Sequence, residues 1–202
     1  MEATRPRLGI LGGSFDPPHI AHLAIASEAC ARLGLERVVF VPAAAPPHKD
    51  LDLAASAEVR LEMTRLAVED DLRFVESGLE VERGLVFTRD TLDAVGARFP
   101  GRDLFFIMGS DSLAALDTWH DPQGIMDRAT LAVAPRQADA QELIARARER
   151  WNTDRIVFVE APHLALSSTM IRRRVAARLP IRYLVPPLVE EYVREHRLYL
   201  AS

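Results

Sequence analysis

The sequence predicts an α/β fold: a doubly wound, mostly parallel sheet flanked by helices. Three observations predict it. Short apolar runs rich in β-branched residues alternate with longer stretches of helical periodicity along most of the 202 residues. The first such run ends in Gly12-Gly13 and opens directly into a helical pattern, as a strand feeding a tight loop and a crossover helix does. The composition, 49% hydrophobic and 27% charged, suits one globular unit with its own core.

Taken in order, Arg7 to Leu11 reads as a buried strand. From Pro18 to Gly34, Ile20, Leu23, Ala24, Ala26, Ala29, Cys30 and Leu33 mark one broad helical face, and Gly34 is a natural C-terminal stop. Arg37 to Pro42 is β-branched and cut off by proline, which makes it the second strand. Strand, helix and strand in so short a span imply parallel neighbours with a right-handed crossover. Downstream, Ser56 to Asp70 reads as a helix and Leu72 to Val81 as one or two short strands around Gly78. Thr88 to Phe99 reads as a helix, and Asp103 to Gly109 as the most buried strand. Further strands are expected at Ala129 to Ala134 and Arg155 to Val159, with helices at Ala138 to Arg150, Ser168 to Leu179 and Pro187 to His196. A single domain over 1–202 is expected, its helical part from about 167 to 202 packed as a small subdomain.

A net charge of −4 provides no broad basic field, so nucleic acid is not an expected partner and any anion site has to be local. The single cysteine, Cys30, cannot form an intramolecular disulfide. No apolar stretch approaches the ~18 residues of a membrane span. The start MEATRPRLGILGG lacks the apolar core of a signal peptide, so a cytoplasmic location is expected.

The chemistry concentrates at strand ends. In GGSFDPPHIAH, Asp16 before Pro17-Pro18 reads as a helix N-cap, placing His19 and His22 three residues apart on one face of the first turns. Unpaired N–H groups and the helix dipole favour an anion there, and Gly12-Gly13 permits close approach to the backbone. Zinc is the competing reading, but metalloprotease histidines stand four apart around a glutamate, and no cysteine cluster accompanies this pair. An ordinary helix start with two polar residues is the third. Ser167-Ser168-Thr169-Met170-Ile171-Arg172 opens a late helix with hydroxyls and an arginine, a set that suits a phosphate or merely a serine-capped basic helix. Arg172, Arg173 and Arg174 point in different directions, so at most one or two can face one ligand. His48 and Lys49 follow Pro46-Pro47 on a stiffened loop, and Gly109-Ser110-Asp111 ends the strongest strand; its carboxylate suits a ribose, a metal or a helix cap. Neither common nucleotide fingerprint, Gly-x-x-x-x-Gly-Lys-Ser/Thr nor Gly-x-Gly-x-x-Gly, occurs.

GGSFDPPHIAH resembles the (H/T)xGH motif of the nucleotidyltransferase superfamily, and LSSTMIR resembles its second signature, ISSTxIR. With PPHK after the second strand and GSDSL after the central one, the order resembles bacterial nicotinate-mononucleotide adenylyltransferases from about Leu8 to Tyr199. The resemblance implies a Rossmann-like nucleotidyltransferase fold and adenylyl transfer from ATP to nicotinic acid mononucleotide, giving nicotinic acid adenine dinucleotide and pyrophosphate in NAD biosynthesis. It implies Mg2+ accompanying ATP, with no side chain assigned as a ligand of that metal, and leaves room for a homo-oligomer. It places His19 and His22 on the triphosphate, with Lys49 and Arg172 as further catalytic groups. Gly12, Gly13, Ser14 and Phe15 would line the ATP channel; Ser168 and Arg172 would hold the ATP end, and Gly109 and Asp111 the ribose. Thr88 would sit beside the nicotinate carboxylate and Trp119 would stack on the pyridine, with His48, Lys49, His120 and Arg136 on the mononucleotide side. Two positions depart from the family pattern. Ala21 replaces the glycine between the histidines, where adenine would lie close to the helix, and His120 stands where many relatives have tyrosine. Phosphopantetheine adenylyltransferases share the chemistry, but usually carry threonine at the position of His19 and are shorter. Cytidylyltransferases usually carry extra arginine and glycine before the serines, where this chain has Leu164-Ala165-Leu166. A non-catalytic nucleotide-binding module is the alternative from another class.

Overall fold

A computed structural model describes residues 5–44, 53–135 and 140–200. Among them a six-stranded parallel sheet runs in the order β3-β2-β1-β4-β5-β6. The strands are β1 (Arg7–Gly13), β2 (Arg37–Pro42), β3 (Phe74–Glu76), β4 (Asp103–Gly109), β5 (Ala129–Ala134) and β6 (Ile156–Phe158). The two halves of this order wind outward from β1 and β4, so the chain reverses direction across the sheet between them. In open α/β sheets that reversal leaves a crevice outside the strand C-termini, where ligands bind.

Alternation along the strands divides the core in two, because successive side chains leave a strand on opposite faces. Leu8, Ile10, Phe106, Met108, Leu131 and Val133 pack on one face. There they meet α4 (Thr88–Arg98), α5 (Ser110–Ala114), α6 (Pro122–Arg128) and α7 (Ala140–Trp151), through Leu92, Val95, Leu113, Ile125, Met126 and Ile144. Leu11, Val38, Phe40, Phe105, Ile107 and Ala132 pack on the other against α1 (Ile20–Leu33), through Ala26, Ala29 and Cys30. Each fully buried Leu, Ile or Phe stabilises the fold by about 1.5–3 kcal/mol relative to exposure, so the strand ends that carry the site rest on a stiff platform. A third cluster joins α2 (Ala57–Val68) to α8 (Ser168–Ala176) and α9 (Pro187–Glu195), through Met63, Ala67, Ile171, Val189 and Val193.

The expected strands and long helices are present, with ends that shift by a few residues. Gly34 caps α1 in the left-handed conformation at φ 61, as its position in the pattern predicts. Two expectations are corrected. Leu72 to Val81 is not all strand: only Phe74–Glu76 pairs with β2, and Leu79–Arg83 forms a short helix, α3, stopped by Gly84 at φ 62. Only Leu79 of that helix is buried, so its apolar residues do not require a strand. Nor is Asp16 the cap of α1. That helix starts after His19, whose backbone is extended (φ −140, ψ 167). Prolines at 17 and 18 disfavour helical geometry in the residue before each of them, which delays the start.

Candidate active site

The loop from Gly12 to His19 crosses the end of the sheet at the β1/β4 crevice, and an open cleft of about 220 Å³ lies against it. Its walls include Gly12, Gly13, Ser14, His19 and His22 from the β1 loop and α1, then Gly109, Asp111 and Trp119 beyond β4, then Ser167, Ser168 and Arg172 from α8. Three segments far apart in sequence thus meet at one edge. A second cavity of about 210 Å³ shares Ile25 and Ser167 with the first, and is lined by Ala21, Pro135 and the 162–166 segment. The two lie next to each other beside the start of α1.

His22 owes its pose to close packing. Its ring stacks on His19 at 3.6 Å between centroids and 17° between planes, and meets Phe15 edge-on at 5.0 Å. The backbone N–H of His19 donates to His22 Nδ1 at 3.1 Å. A ring nitrogen that accepts carries no proton, so in neutral His22 the proton sits on Nε2. That tautomer makes Nε2–H a donor for an anion in the cleft. His19 itself is 1% exposed, and its ring lies flat against that of His22. Phe15 is fully buried at φ 47 with its ring beneath Gly13; it supports the loop from below and does not line the cleft. A Cβ on Gly13 would stand 3.1 Å from that ring, tighter than side chains normally pack.

The helix end is less open than the sequence implies. The Ile20 N–H already donates to the Leu184 carbonyl at 3.0 Å, so attraction for an anion here rests on the helix dipole and His22 more than on the first amide. At α8, Ser167 is the cap, its hydroxyl accepting from the Met170 N–H at 3.2 Å. The Ser168 hydroxyl donates to the Pro17 carbonyl at 2.8 Å. Arg172 Nη1 donates to the Asp16 carbonyl at 2.9 Å and lies 3.6 Å from the Asp16 carboxylate. Arg174 turns away to the Pro180 carbonyl, so of these arginines Arg172 lines the cleft.

Trp119 stands on the cleft wall, edge-on to Phe106 at 6.1 Å. The structure does not bring Thr88 or His120 into that wall. His120 stacks on Phe87 at 4.2 Å, which commits its ring outside the cleft, and Thr88 opens α4 next to that stack. His48, Lys49 and Arg136 lie outside the described residues.

Sequence reasoning missed the groups that hold the loops. Arg60, in the first turn of α2 and 1% exposed, donates to the carbonyls of Ser14 at 2.9 Å, Ala44 at 3.2 Å and Ala55 at 3.3 Å. Nothing in its helical spacing separates it from a solvated arginine. Asp16 is completely buried: its carboxylate accepts from the Ala54 N–H at 2.8 Å and the Tyr199 hydroxyl at 2.7 Å. Glu80 accepts from Thr91 Oγ1 at 2.6 Å. Burial pushes the Glu80 carboxyl above its usual range, against the opposing pull of hydrogen bonds from Thr91 and the Ala44 backbone and of the Arg60 charge. A carboxyl raised in the folded state stabilises the fold fully at low pH and loses that contribution as pH rises through its folded value. Glu80→Gln keeps the oxygen that takes the Thr91 hydroxyl and removes the ionisable group, so it is expected to melt higher than the parent at pH 8. The two should converge below about pH 4, where both sites are neutral. Melting curves across that range check this; a parent that is the more stable at pH 8 would contradict it.

A loop of this composition at the β1/β4 crevice, with a histidine donor on α1 and a serine-arginine helix opposite, defines a nucleotidyltransferase-type site. Residues 10–174 match the Cytidylyltransferase-like family model. A curated relative from Herpetosiphon aurantiacus, "Probable nicotinate-nucleotide adenylyltransferase", is 43% identical over 96% of this chain and 99% of its own length. A relative of the same name from Synechococcus sp. is 40% identical over 96% of this chain and 95% of its own length. The chain belongs to the nicotinate-nucleotide adenylyltransferase family, within the cytidylyltransferase-like group. Among solved structures, the Plasmodium falciparum nicotinic acid mononucleotide adenylyltransferase complexed with NaAD superposes with a TM-score of 0.77 at 18% identity, covering 96% of this chain and 97% of that one. This likeness extends to the fold.

No helix among the described residues is long and apolar enough to cross a membrane.

Proposed function

We infer that this protein transfers the adenylyl group of ATP to nicotinic acid mononucleotide, forming nicotinic acid adenine dinucleotide and pyrophosphate. The observation that carries this is that His22, at the start of α1, and Arg172 of α8 line the same β1/β4 cleft, in a chain that matches nicotinate-nucleotide adenylyltransferase relatives over 96% of its length. A phosphate oxygen of the mononucleotide attacks the α-phosphorus of ATP in line; the bond from that phosphorus to the bridging oxygen breaks, and pyrophosphate leaves with the electron pair. The attacking oxygen is already an anion, so no protein nucleophile is required. The protein's task is to align the two phosphates and neutralise the charge that builds on them.

In this reading His22 Nε2–H donates to the α-phosphate oxygens, and Arg172 with Ser168 holds the far end of the triphosphate. Gly12, Gly13 and Ser14 let the nucleotide pass close to the backbone, with Gly109 and Asp111 next to the ribose. The adenine occupies the second cavity beside Ala21, and the pyridine ring packs by Trp119. Thr88, His48, Lys49, His120 and Arg136 stay assigned to the mononucleotide side, although for Thr88 and His120 this requires a substrate reaching past the Trp119 wall. Mg2+ enters with ATP. Among the described residues no group of three His, Cys, Asp or Glu side chains can hold a metal ion, and Asp111 by itself is a poor cage for a cation that demands six oxygen ligands. The described residues therefore do not build a resident metal site, and no step is assigned to one.

Purified protein supplied with ATP, Mg2+ and nicotinic acid mononucleotide is expected to release pyrophosphate and form the dinucleotide. Equal or faster turnover with phosphopantetheine would overturn the reading. The nicotinamide mononucleotide arm of the same assay measures the preference for the acid.

A further inference from the structure

The turn from Asp16 to Ile20, which presents the histidines, takes four of its hydrogen bonds from the last third of the chain. Leu184 accepts from Ile20, Ser168 donates to Pro17, and Arg172 donates to the Asp16 carbonyl. Tyr199 then reaches Asp16 from the far end of the described chain, 183 residues away in sequence. Burial and the Asp16 charge push the Tyr199 phenol up. It therefore stays protonated and donates, and Asp16 accepts. One carboxylate oxygen of Asp16 takes the Tyr199 hydroxyl at 2.7 Å, and the other takes the Ala54 N–H at 2.8 Å while facing Arg172 Nη1 at 3.6 Å.

That division matters for Arg172. A fully buried carboxylate with both oxygens engaged by neutral donors attracts a nearby guanidinium without capturing it, and 3.6 Å is an ion-pair distance beyond a normal hydrogen bond. If the phenol were lost, the bared carboxylate oxygen would require another donor, because an unsatisfied buried charge is costly. The guanidinium of Arg172, already bonded to the carbonyl of the same residue, is the charged donor closest to hand. It would be drawn off the cleft wall into a direct pair with Asp16.

We propose that Tyr199 is a positioning residue which, by satisfying Asp16, keeps the Arg172 guanidinium turned to the phosphate end of the cleft. The proposal rests on the reading that Arg172 binds the ATP phosphates, and the test separates the two.

Steady-state constants for both substrates are measured for the parent, Tyr199→Phe, Arg172→Ala and the double variant. Tyr199→Phe is expected to raise KM for ATP roughly tenfold, the scale of one hydrogen bond to a charged group. KM for the mononucleotide should change by less than about twofold. In the Arg172→Ala background the same substitution is expected to change nothing further, because residues acting through one another are not additive. Equal losses for both substrates, or an undiminished effect of Tyr199→Phe without Arg172, would show a purely structural role and overturn the proposal. An Arg172→Ala variant with an unchanged KM for ATP would instead sink the assignment of Arg172. Asp16→Asn keeps one oxygen for the Ala54 N–H and can turn its amide N–H to the Tyr199 hydroxyl oxygen, but removes the charge facing Arg172. It is the second variant should Tyr199→Phe not fold: with no buried charge to capture the guanidinium, KM for ATP is expected to stay within about twofold of the parent, with or without the Tyr199 hydroxyl, and a roughly tenfold rise would overturn the proposal.

Discussion

His22→Ala is expected to lower kcat by at least ~100-fold, the scale of removing one preorganised donor aimed at developing charge. The geometry gives the reason. The Nδ1 atom is occupied by the His19 N–H at 3.1 Å, and the ring is wedged between the His19 stack and the edge of Phe15. The ring is thereby fixed by contacts already made before substrate arrives, so orienting it costs little during reaction. The alanine variant also leaves the His19 N–H without its side-chain acceptor, a capping loss of about 1 kcal/mol. A modest fall in Tm should accompany the loss of turnover, far too small to account for it. Single-turnover rates with both substrates saturating separate the chemical step from binding. An unchanged rate would remove His22 from the mechanism.

Arg60→Leu is expected to cost about 3 kcal/mol or more of stability, because three backbone carbonyls lose their donor and each unsatisfied buried acceptor costs about 1 kcal/mol or above. In a domain of this size that is a fall in Tm of roughly 6–12 °C. Two of those carbonyls, Ser14 and Ala44, belong to the loops after β1 and β2, so KM for both substrates should rise with the loss of stability. Lysine is not expected to rescue the site. An ammonium is a compact point charge, and it cannot span carbonyls that a planar guanidinium reaches through three separate nitrogens. Thermal melts of the leucine and lysine variants check both statements; a leucine variant that melts with the parent would contradict them.

The contrast between His22 and Arg60 marks where sequence reading succeeds. His22 stands in a local pattern: glycines after a strand, prolines, then two histidines at helical spacing. Local patterns survive without the rest of the fold. Arg60 carries no such pattern, since an arginine on an amphipathic helix is ordinarily solvated, and only the packing of α2 over the β1 and β2 loops buries it. Asp16 misleads for a related reason. An aspartate before proline ordinarily caps the next helix, but here the turn rotates it inward to Ala54 and Tyr199, partners that no local rule can supply.

The sequence by itself determined the alternation of strands and helices, hence the parallel sheet, the C-terminal stop of α1 at Gly34, and the strand ends where a ligand would sit. These follow from periodicities and backbone preferences that each segment carries alone. Only the tertiary structure decided that the Asp16 turn is held by residues 168–199, that Arg172 faces the cleft while Arg174 turns away, and that His120 packs on Phe87 outside it. These are contacts between segments up to 183 residues apart. Which donor meets which acceptor across such a distance is set by how whole elements pack, and burial then makes those pairings obligatory.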